Sequence, residues 1–471
     1  MSRNNIQNEG IILNKRTAVF VLACWSALSS VAWGNEARPL DLEEVVAIAL
    51  QNNHTIEQGA EDRDYAKWAL SKARRQAGPS LTYNFTGGRG GTSANGRPLT
   101  ENNDYTNSVR MSFPLYHGGQ LKNQRRGAEY ALSAADLTLE NTRQSVKLQA
   151  ASAYYEILRC KAMVAVREEE VRTLQKHLDL STVKYEEGVV ARADILSSSV
   201  SLDNARQNLV KAQGDYEKAL VALNNILGLP SATQWQVTSS LEFEKEDFDL
   251  DECMAYALAN RPDYYSAAYG VKQAEFGVKE AKAGYRPSVD VAVSKSYEGD
   301  RAFDSNISRA WNAGISVSWS AFDNGVTSAG VHQAQAQLKK ARSLEAQARD
   351  TLEKDVNDAY IDLKTAEENI KTTEAAVAKA AEDYELEQIR YEEGVGTNLD
   401  VMDAQEKLTT ARMNHSTALY SYNAAKAAME KAIGLPVDVQ VPKYVEAVAA
   451  GKSSAKALQE AALSEKSNVD S

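Results

Sequence analysis

Residues 185–194 read Tyr185-Glu186-Glu187-Gly188-Val189-Val190-Ala191-Arg192-Ala193-Asp194, and residues 391–400 read Tyr391-Glu392-Glu393-Gly394-Val395-Gly396-Thr397-Asn398-Leu399-Asp400. The two stretches share Tyr-Glu-Glu-Gly-Val and a closing Asp, 206 residues apart. The same offset relates Gly228-Leu229-Pro230 to Gly434-Leu435-Pro436, Ala153-Tyr154 to Ala359-Tyr360, and Tyr216 to Tyr422. Earlier in each half, Asp41-Leu42 with Ala49-Leu50 answers Asp249-Leu250 with Ala257-Leu258, and Pro79-Ser80 answers Pro287-Ser288. A repeat of this length decides the architecture before any local reading does. It divides the chain into a first unit at 35–230, a connector at 231–248, a second unit at 249–436 and a tail at 437–471. The tail, Ala-, Lys- and Ser-rich beyond residue 440, is expected to pack poorly.

Proline breaks helix interiors and is absent from residues 115–229 and 288–435, so long helices are permitted there. In the second window Val356, Leu363, Ile370, Val377, Tyr384 and Tyr391 fall seven apart. The small residues Ala359, Ala366, Thr373 and Ala380 lie three further on. A sustained period of seven imposes a left-handed supercoil, and small seam residues let helices approach closely. Ile157, Val164, Val171, Leu178 and Tyr185 repeat the pattern in the first unit, and it restarts after each Tyr-Glu-Glu-Gly turn. Each unit therefore ends in an antiparallel helical hairpin, at about 119–227 and 325–433, whose first arm is on the order of 100 Å long. Such rods need neighbours: several hairpins must pack side by side.

Between the short opening helix and the long one the period changes to two. Leu81, Tyr83 and Phe85 alternate with polar residues, as do Val109, Met111 and Phe113, then Val289, Val291 and Val293, then Ile315, Val317 and Trp319. Four strands of about ten residues result, within about 80–116 and 287–322. Strands of roughly 9–11 residues with one apolar face and flanking aromatics are those of a membrane-spanning barrel. Four strands cannot close one, and open edges are not tolerated in lipid, so the barrel must be shared among chains.

Composition agrees. The 471 residues carry 64 acidic and 53 basic side chains, a net charge of −11 that argues against nucleic acid as a partner. Mean hydropathy is −0.44 and no run of 18 apolar residues crosses the body of the chain. The N-terminus, Lys15-Arg16 followed by an apolar stretch to Ala32-Trp33-Gly34, reads as an export signal over 1–34. An alternative takes Val21-Leu22-Ala23-Cys24 as a lipidation box. Cys160 and Cys253 are too few for a disulfide framework and are expected to be buried thiols.

The order of strand pair and long hairpin, the Tyr-x-x-Gly-x(5)-Asp tips at 185–194 and 391–400, and the closing Gly-Leu-Pro together resemble the TolC-like outer-membrane efflux channels, the outer membrane factors. The resemblance implies a mainly α fold with a small β part: a homotrimer with a trimeric α-helical barrel joined to a 12-stranded membrane β-barrel in outer-membrane lipid. The implied function is the exit duct of a tripartite efflux or type I secretion system. Its tips would dock a periplasmic adaptor and an inner-membrane pump or ABC transporter, with no cofactor. The rival reading from another class is a trimeric coiled-coil adhesin or envelope filament without a pore.

The resemblance also implies a gate at the tips. Tyr391 matches the gate tyrosine, Asp194 the carboxylate that accepts its hydrogen bond, and Asp400 with Asp403 the acidic pair at the constriction. Three apart, Asp400 and Asp403 share a helix face, and three chains would gather six carboxylates. Gly396 stands where the gate arginine would sit, with Arg192 as its candidate replacement. The plainer reading of Asp194 and Asp400 is a helix start after a Gly turn. Gly188-Val189 and Gly394-Val395 are the expected adaptor-docking tips. No catalytic chemistry is visible. His54, His117, His177, His332 and His415 are scattered with no metal or nucleophile spacing, and His415 on the seam is expected to be an interhelical hydrogen-bonding residue. The Gly87–Gly91 run lacks a phosphate-loop ending and is expected to form a flexible loop at the barrel edge.

Overall fold

The computed structural model describes residues 38–94, 97–301 and 308–463; the export signal and Cys24 lie outside the described residues. Each unit opens with an 11-residue helix, α1 (Leu42–Asn52) or α5 (Leu250–Asn260), begun by Asp41 or Asp249 as N-cap. A second short helix follows, α2 (His54–Arg75) or α6 (Pro262–Ala281), then the strand pair β2 (Ser80–Ala94) and β3 (Arg97–His117) or β5 (Ser288–Gly299) and β6 (Ser308–Ser318). The long arms α3 (Gln120–Glu186) and α7 (Val326–Glu392) have 67 residues each, and the return arms α4 (Arg192–Ile226) and α8 (Asn398–Ala432) have 35 each. Each short arm reaches only half-way back, and the rest of each long arm packs against α2 or α6. The two units meet along α3, which contacts both α6 and α8. This leaves α2 with α4 on one edge and α7 on the other.

The four strands form one antiparallel sheet in the order β2-β3-β5-β6. Its register places Leu81, Met111, Val293 and Ala313 in one row and Tyr83, Val109, Lys295 and Trp311 in the next, so the apolar residues share a face that none of the described residues covers. The opposite face carries Thr82, Arg110, Ser294 and Asn312. The first pair is longer than the sequence suggests, with 15 and 21 residues. The Gly87–Gly91 run, expected to be a loop, instead lies inside the ladder opposite Glu101–Tyr105. At Gly87 the Tyr105 ring occupies the space of a side chain: a Cβ there would meet it at 3.0 Å.

One buried cluster sits where the opening segment meets the first hairpin. Leu40, Val45 and Ala49 of the opening segment pack against Ile157 of α3 and Leu223 and Leu227 at the end of α4. Each fully buried Leu or Ile contributes about 1.5–3 kcal/mol of transfer free energy. Gly228 explains the closing Gly-Leu-Pro: its φ is +65°, and a Cβ would lie 2.6 Å from the Asn52 carbonyl oxygen. The connector runs through the two-residue strand β4 (Trp235–Gln236), which pairs in parallel with β1 (Arg38–Pro39). It then lies along the hairpins, where Lys161 donates to the Val237 carbonyl and the Tyr422 hydroxyl to that of Glu244.

Residues beyond 440 correct the expectation of a loose tail. They form α9 (Val441–Ala449) and α10 (Ser454–Ala461), packed on Leu137 and Tyr269. Two carboxylates one turn apart on α3 hold them. Asp136 accepts from Tyr444 Oη at 2.6 Å and Arg63 Nε at 2.9 Å, and Glu140 accepts from the backbone N–H of Val437 at 2.7 Å and of Asp438 at 3.2 Å. Glu140 is fully buried, and burial raises its pKa. Cys160 and Cys253 are free and buried, and burial pushes the Cys160 thiol up to about 11. His415 pairs with Thr373 across the α7–α8 seam at 3.2 Å.

Candidate functional site

Both long arms stop in the same way. Gly188 and Gly394 adopt φ of +78° and +80°, which L side chains disfavour. Their N–H groups donate to the Tyr185 and Tyr391 carbonyls, while Val189 and Val395 donate to those of Lys184 and Arg390. This is the Schellman arrangement, which satisfies otherwise unpaired carbonyls at a helix end. It projects the valines outward, Val189 at 62% and Val395 at 70% exposure.

The two tips of the chain are tied together. Tyr391, in the last turn of α7, is 3% exposed and its hydroxyl pairs with Ser181 Oγ of α3 at 3.0 Å, not with Asp194. Lys184 Nζ donates to the Tyr391 carbonyl at 2.7 Å and to that of Glu392 at 2.9 Å, lying 5.0 Å from the Tyr391 ring centre. One turn back, the His177 ring is 5.0 Å from the Tyr391 ring and its Nε2 meets Asn398 Oδ1, which also accepts from Ser198 Oγ. Asn398 in turn donates to the Asp194 carbonyl oxygen. Burial lowers the His177 pKa, against the opposing effect of its bond to Asn398. A neutral ring then donates from Nε2, joining α3, α4 and α8 through one side-chain amide.

The predicted gate residues divide. Asp400 is engaged in a capping box: its carboxylate accepts from Thr397 N–H at 3.1 Å and Thr397 Oγ1 at 2.7 Å, while Thr397 Oγ1 accepts from Asp400 N–H. Those bonds hold its pKa below the ordinary value, with a smaller pull from Arg390. In the equivalent place Ala191 caps α4 and cannot do the same, so the half-buried Asp194 carboxylate has no partner among the described residues. Asp403, one turn beyond Asp400, and Arg192 are exposed and unpaired among the described residues. Gly396 is set by close approach, since a Cβ there would lie 3.0 Å from the Tyr391 nitrogen.

Residues 45–229 and 254–435 match the family described as outer membrane efflux protein. The chain belongs to that family. Among its relatives, the outer membrane efflux protein BepC of Brucella suis biovar 1 is 24% identical over 380 residues, covering 78% of this chain and 80% of BepC. The outer membrane protein TolC of Escherichia coli K12 is 22% identical over 426 residues, covering 86% of this chain and 85% of TolC. The crystal structure of the CmeC outer membrane channel of Campylobacter jejuni superposes with a TM-score of 0.74 at 19% identity, covering 92% of this chain and 94% of CmeC. The fold is thus that of the TolC-like channels, and family membership places the protein in the outer membrane as a transport protein.

Against that family frame, the residues sequence reasoning missed are Lys184, Ser181, His177 and Asn398. The signal was present as broken symmetry: the repeat partners of His177 and Ser181 are Asp383 and Glu387, so these polar residues are not inherited seam positions. Arg390 was missed as well. It pairs with Glu387 at 2.7 Å beside Asp400, a tip arginine at a position the Gly396 comparison does not reveal.

Proposed function

We propose that three copies of this chain form the outer-membrane exit duct of a tripartite efflux or type I secretion system, a 12-stranded β-barrel continued by an α-helical barrel into the periplasm. The observation that carries the reading is the four-stranded sheet. Among the described residues its apolar face is bare, its edges β2 and β6 have no strand beside them, and no helix is long and apolar enough to cross a membrane. Such a sheet is tolerated in lipid only when closed, and identical copies close it edge to edge. The helical edges support the same assembly. On α4, Leu196 and Val210 are two heptads apart and Val200 and Val221 three; on α7, Leu344 and Leu386 are six heptads apart and Ile361 and Ile389 four. Both rows are exposed in the single chain, which suits burial of one protomer's α4 against the next protomer's α7.

In this assembly the valine-tipped turns dock a periplasmic adaptor linked to an inner-membrane pump or ABC transporter. Tyr391 anchors the closed tip, Asp194 and Arg192 face the neighbouring chain, and Asp400 and Asp403 ring the opening. Light scattering in detergent should give a trimer, and planar bilayers should show discrete, mostly closed channels. A monodisperse monomer, or trimers that never conduct, would favour a coiled-coil adhesin or envelope filament.

A further inference from the structure

In a chain of net charge −11, the first unit's helix ends nearest the sheet are basic. Residues 70–79, which close α2 and lead into β2, carry Lys72, Arg74 and Arg75 and no acid. Residues 117–128, which leave β3 and open α3, carry Lys122, Arg125 and Arg126 and again no acid. All six are exposed. The first carboxylate, Glu129, is shared by three of them: Arg125 at 3.0 Å, Arg126 at 3.1 Å and Arg74 at 3.6 Å. Three guanidinium groups on one carboxylate leave positive charge uncompensated, and neither Arg75 nor Lys122 has an ion-pair partner among the described residues. A cavity of about 530 Å³ opens between these arginines and α9–α10, with Lys452 on its far side.

The direction of this surface follows from helix periodicity. Lys122, Arg126, Glu129, Ser133, Asp136 and Glu140 succeed one another at steps of three and four, so they share one face of α3. The lower half of that face carries α9–α10 through Asp136 and Glu140. A ring of twelve helices, each ~10 Å across, encloses a lumen under about 30 Å, which three inward-facing helix pairs would fill. The basic face therefore points outward. Arg125 and Arg126 lie roughly 8 Å along α3 from its first residue, Gln120, and Lys122 is nearer still. A bilayer's headgroup layer extends about 5–8 Å beyond its hydrocarbon core on each side.

We propose that this collar binds the phosphates of anionic phospholipids in the periplasmic leaflet, seating the barrel at a fixed depth. Lys122 and Arg75 meet the headgroup plane, and the cavity beside Arg125 and Arg126 takes a headgroup from the leaflet edge. This rests on the membrane-barrel reading above. Arg is suited to the role because its planar fork engages phosphate oxygens bidentately, while Lys acts as a point charge.

Native mass spectrometry of the detergent-purified trimer, offered equal phosphatidylglycerol and phosphatidylcholine, tests it. Phosphatidylglycerol should be retained selectively. Arg75→Gln with Lys122→Gln should weaken that retention about 25-fold, roughly fivefold per charge, and leave conductance unchanged. Arg125→Gln with Arg126→Gln should weaken it further. Equal retention of the two lipids, or variants that hold phosphatidylglycerol as the parent does, overturns the proposal while normal conductance preserves the channel. Inorganic phosphate raising the trimer's melting temperature as much as phosphatidylglycerol does also overturns it, in favour of a soluble anion. A parent protein that neither conducts nor inserts removes the channel reading and this proposal with it.

Discussion

Lys184→Met should open the channel without dissolving the trimer. The Lys184 ammonium bonds directly to the end of α7, reaching two carbonyls at 2.7 and 2.9 Å. A hydrogen bond to a charged group contributes about 1.5–3 kcal/mol, and positive charge at a helix C-terminus adds about 0.3–1 kcal/mol. The side chain is half-exposed, so solvent screening brings the whole tether down to about 2 kcal/mol. Three chains then hold about 6 kcal/mol, close to the ~5.5 kcal/mol that moves a two-state gate from one per cent to ninety-nine per cent open. Methionine keeps the length and apolar body of the side chain and removes only the charge. Single-channel recording should show a large rise in open probability, and Lys184→Arg should keep most of the closed state. A Lys184→Met trimer of normal melting temperature that stays closed as long as the parent would refute the argument and move the tether to the contacts between chains.

Acid should loosen the same tip: the depressed His177 pKa makes its stabilisation complete above the ordinary value of about 6.5 and progressively lost as pH falls below it. Open probability should therefore rise between about pH 7 and 5, and His177→Gln should flatten that dependence. Glu140→Leu strands the Val437 and Asp438 N–H groups at about 1–3 kcal/mol each, so limited proteolysis should release the C-terminal helices; Glu140→Gln, which keeps an acceptor, should not. Because burial raises the Glu140 pKa, stability falls as pH rises from the ordinary carboxylate value through the raised one, and the Gln variant should lose this decline of melting temperature. Asp403→Asn should reduce block by multivalent cations without changing helix content, whereas Asp400→Ala should also fray the start of α8, visible as faster amide exchange at residues 398–401. Val189→Lys with Val395→Lys should abolish export while trimers form normally.

The long helices were legible almost to the residue because their limits are chemical. Within the hairpins expected at about 119–227 and 325–433, the long arms run Gln120–Glu186 and Val326–Glu392, bounded at both ends by glycines whose positive φ ends the helix. The strands were legible as alternation, but the Gly87–Gly91 run carries no side chains to alternate. Only its partner strand, with Tyr105 lying over Gly87, shows that it belongs to the ladder. The C-terminal helices were misread for a related reason. Val441, Tyr444 and Ala457 are too few and too small to announce a core by themselves, and what holds them is Leu137 with Asp136 and Glu140, some 300 residues earlier. Those carboxylates looked like ordinary charges on a solvated helix face.

The tips show why a repeat predicts folds better than sites. Duplication gives Tyr185 and Tyr391 the same motif, yet Tyr185 is 42% exposed and Tyr391 is 3% exposed. Two identical tips cannot both be buried by one junction: the end of α7 packs on α3, and the end of α3 has no equivalent helix beyond it. Ser181, Lys184 and His177 serve that single junction, which is why their repeat partners Glu387, Arg390 and Asp383 differ. The proposed ring of three chains would contain two kinds of junction between hairpins. The one within a chain is tied by buried polar bonds. The one between chains would meet at the edge bearing Asp194 and Arg192, whose side chains have no bonding partner among the described residues. An adaptor that opened such a ring would act against the weaker of the two. If Lys184→Met opens the channel as strongly as Arg192→Ala with Asp194→Ala does, both junctions carry the closed state; if only the second pair acts, each chain moves as one body and the gate lies between chains.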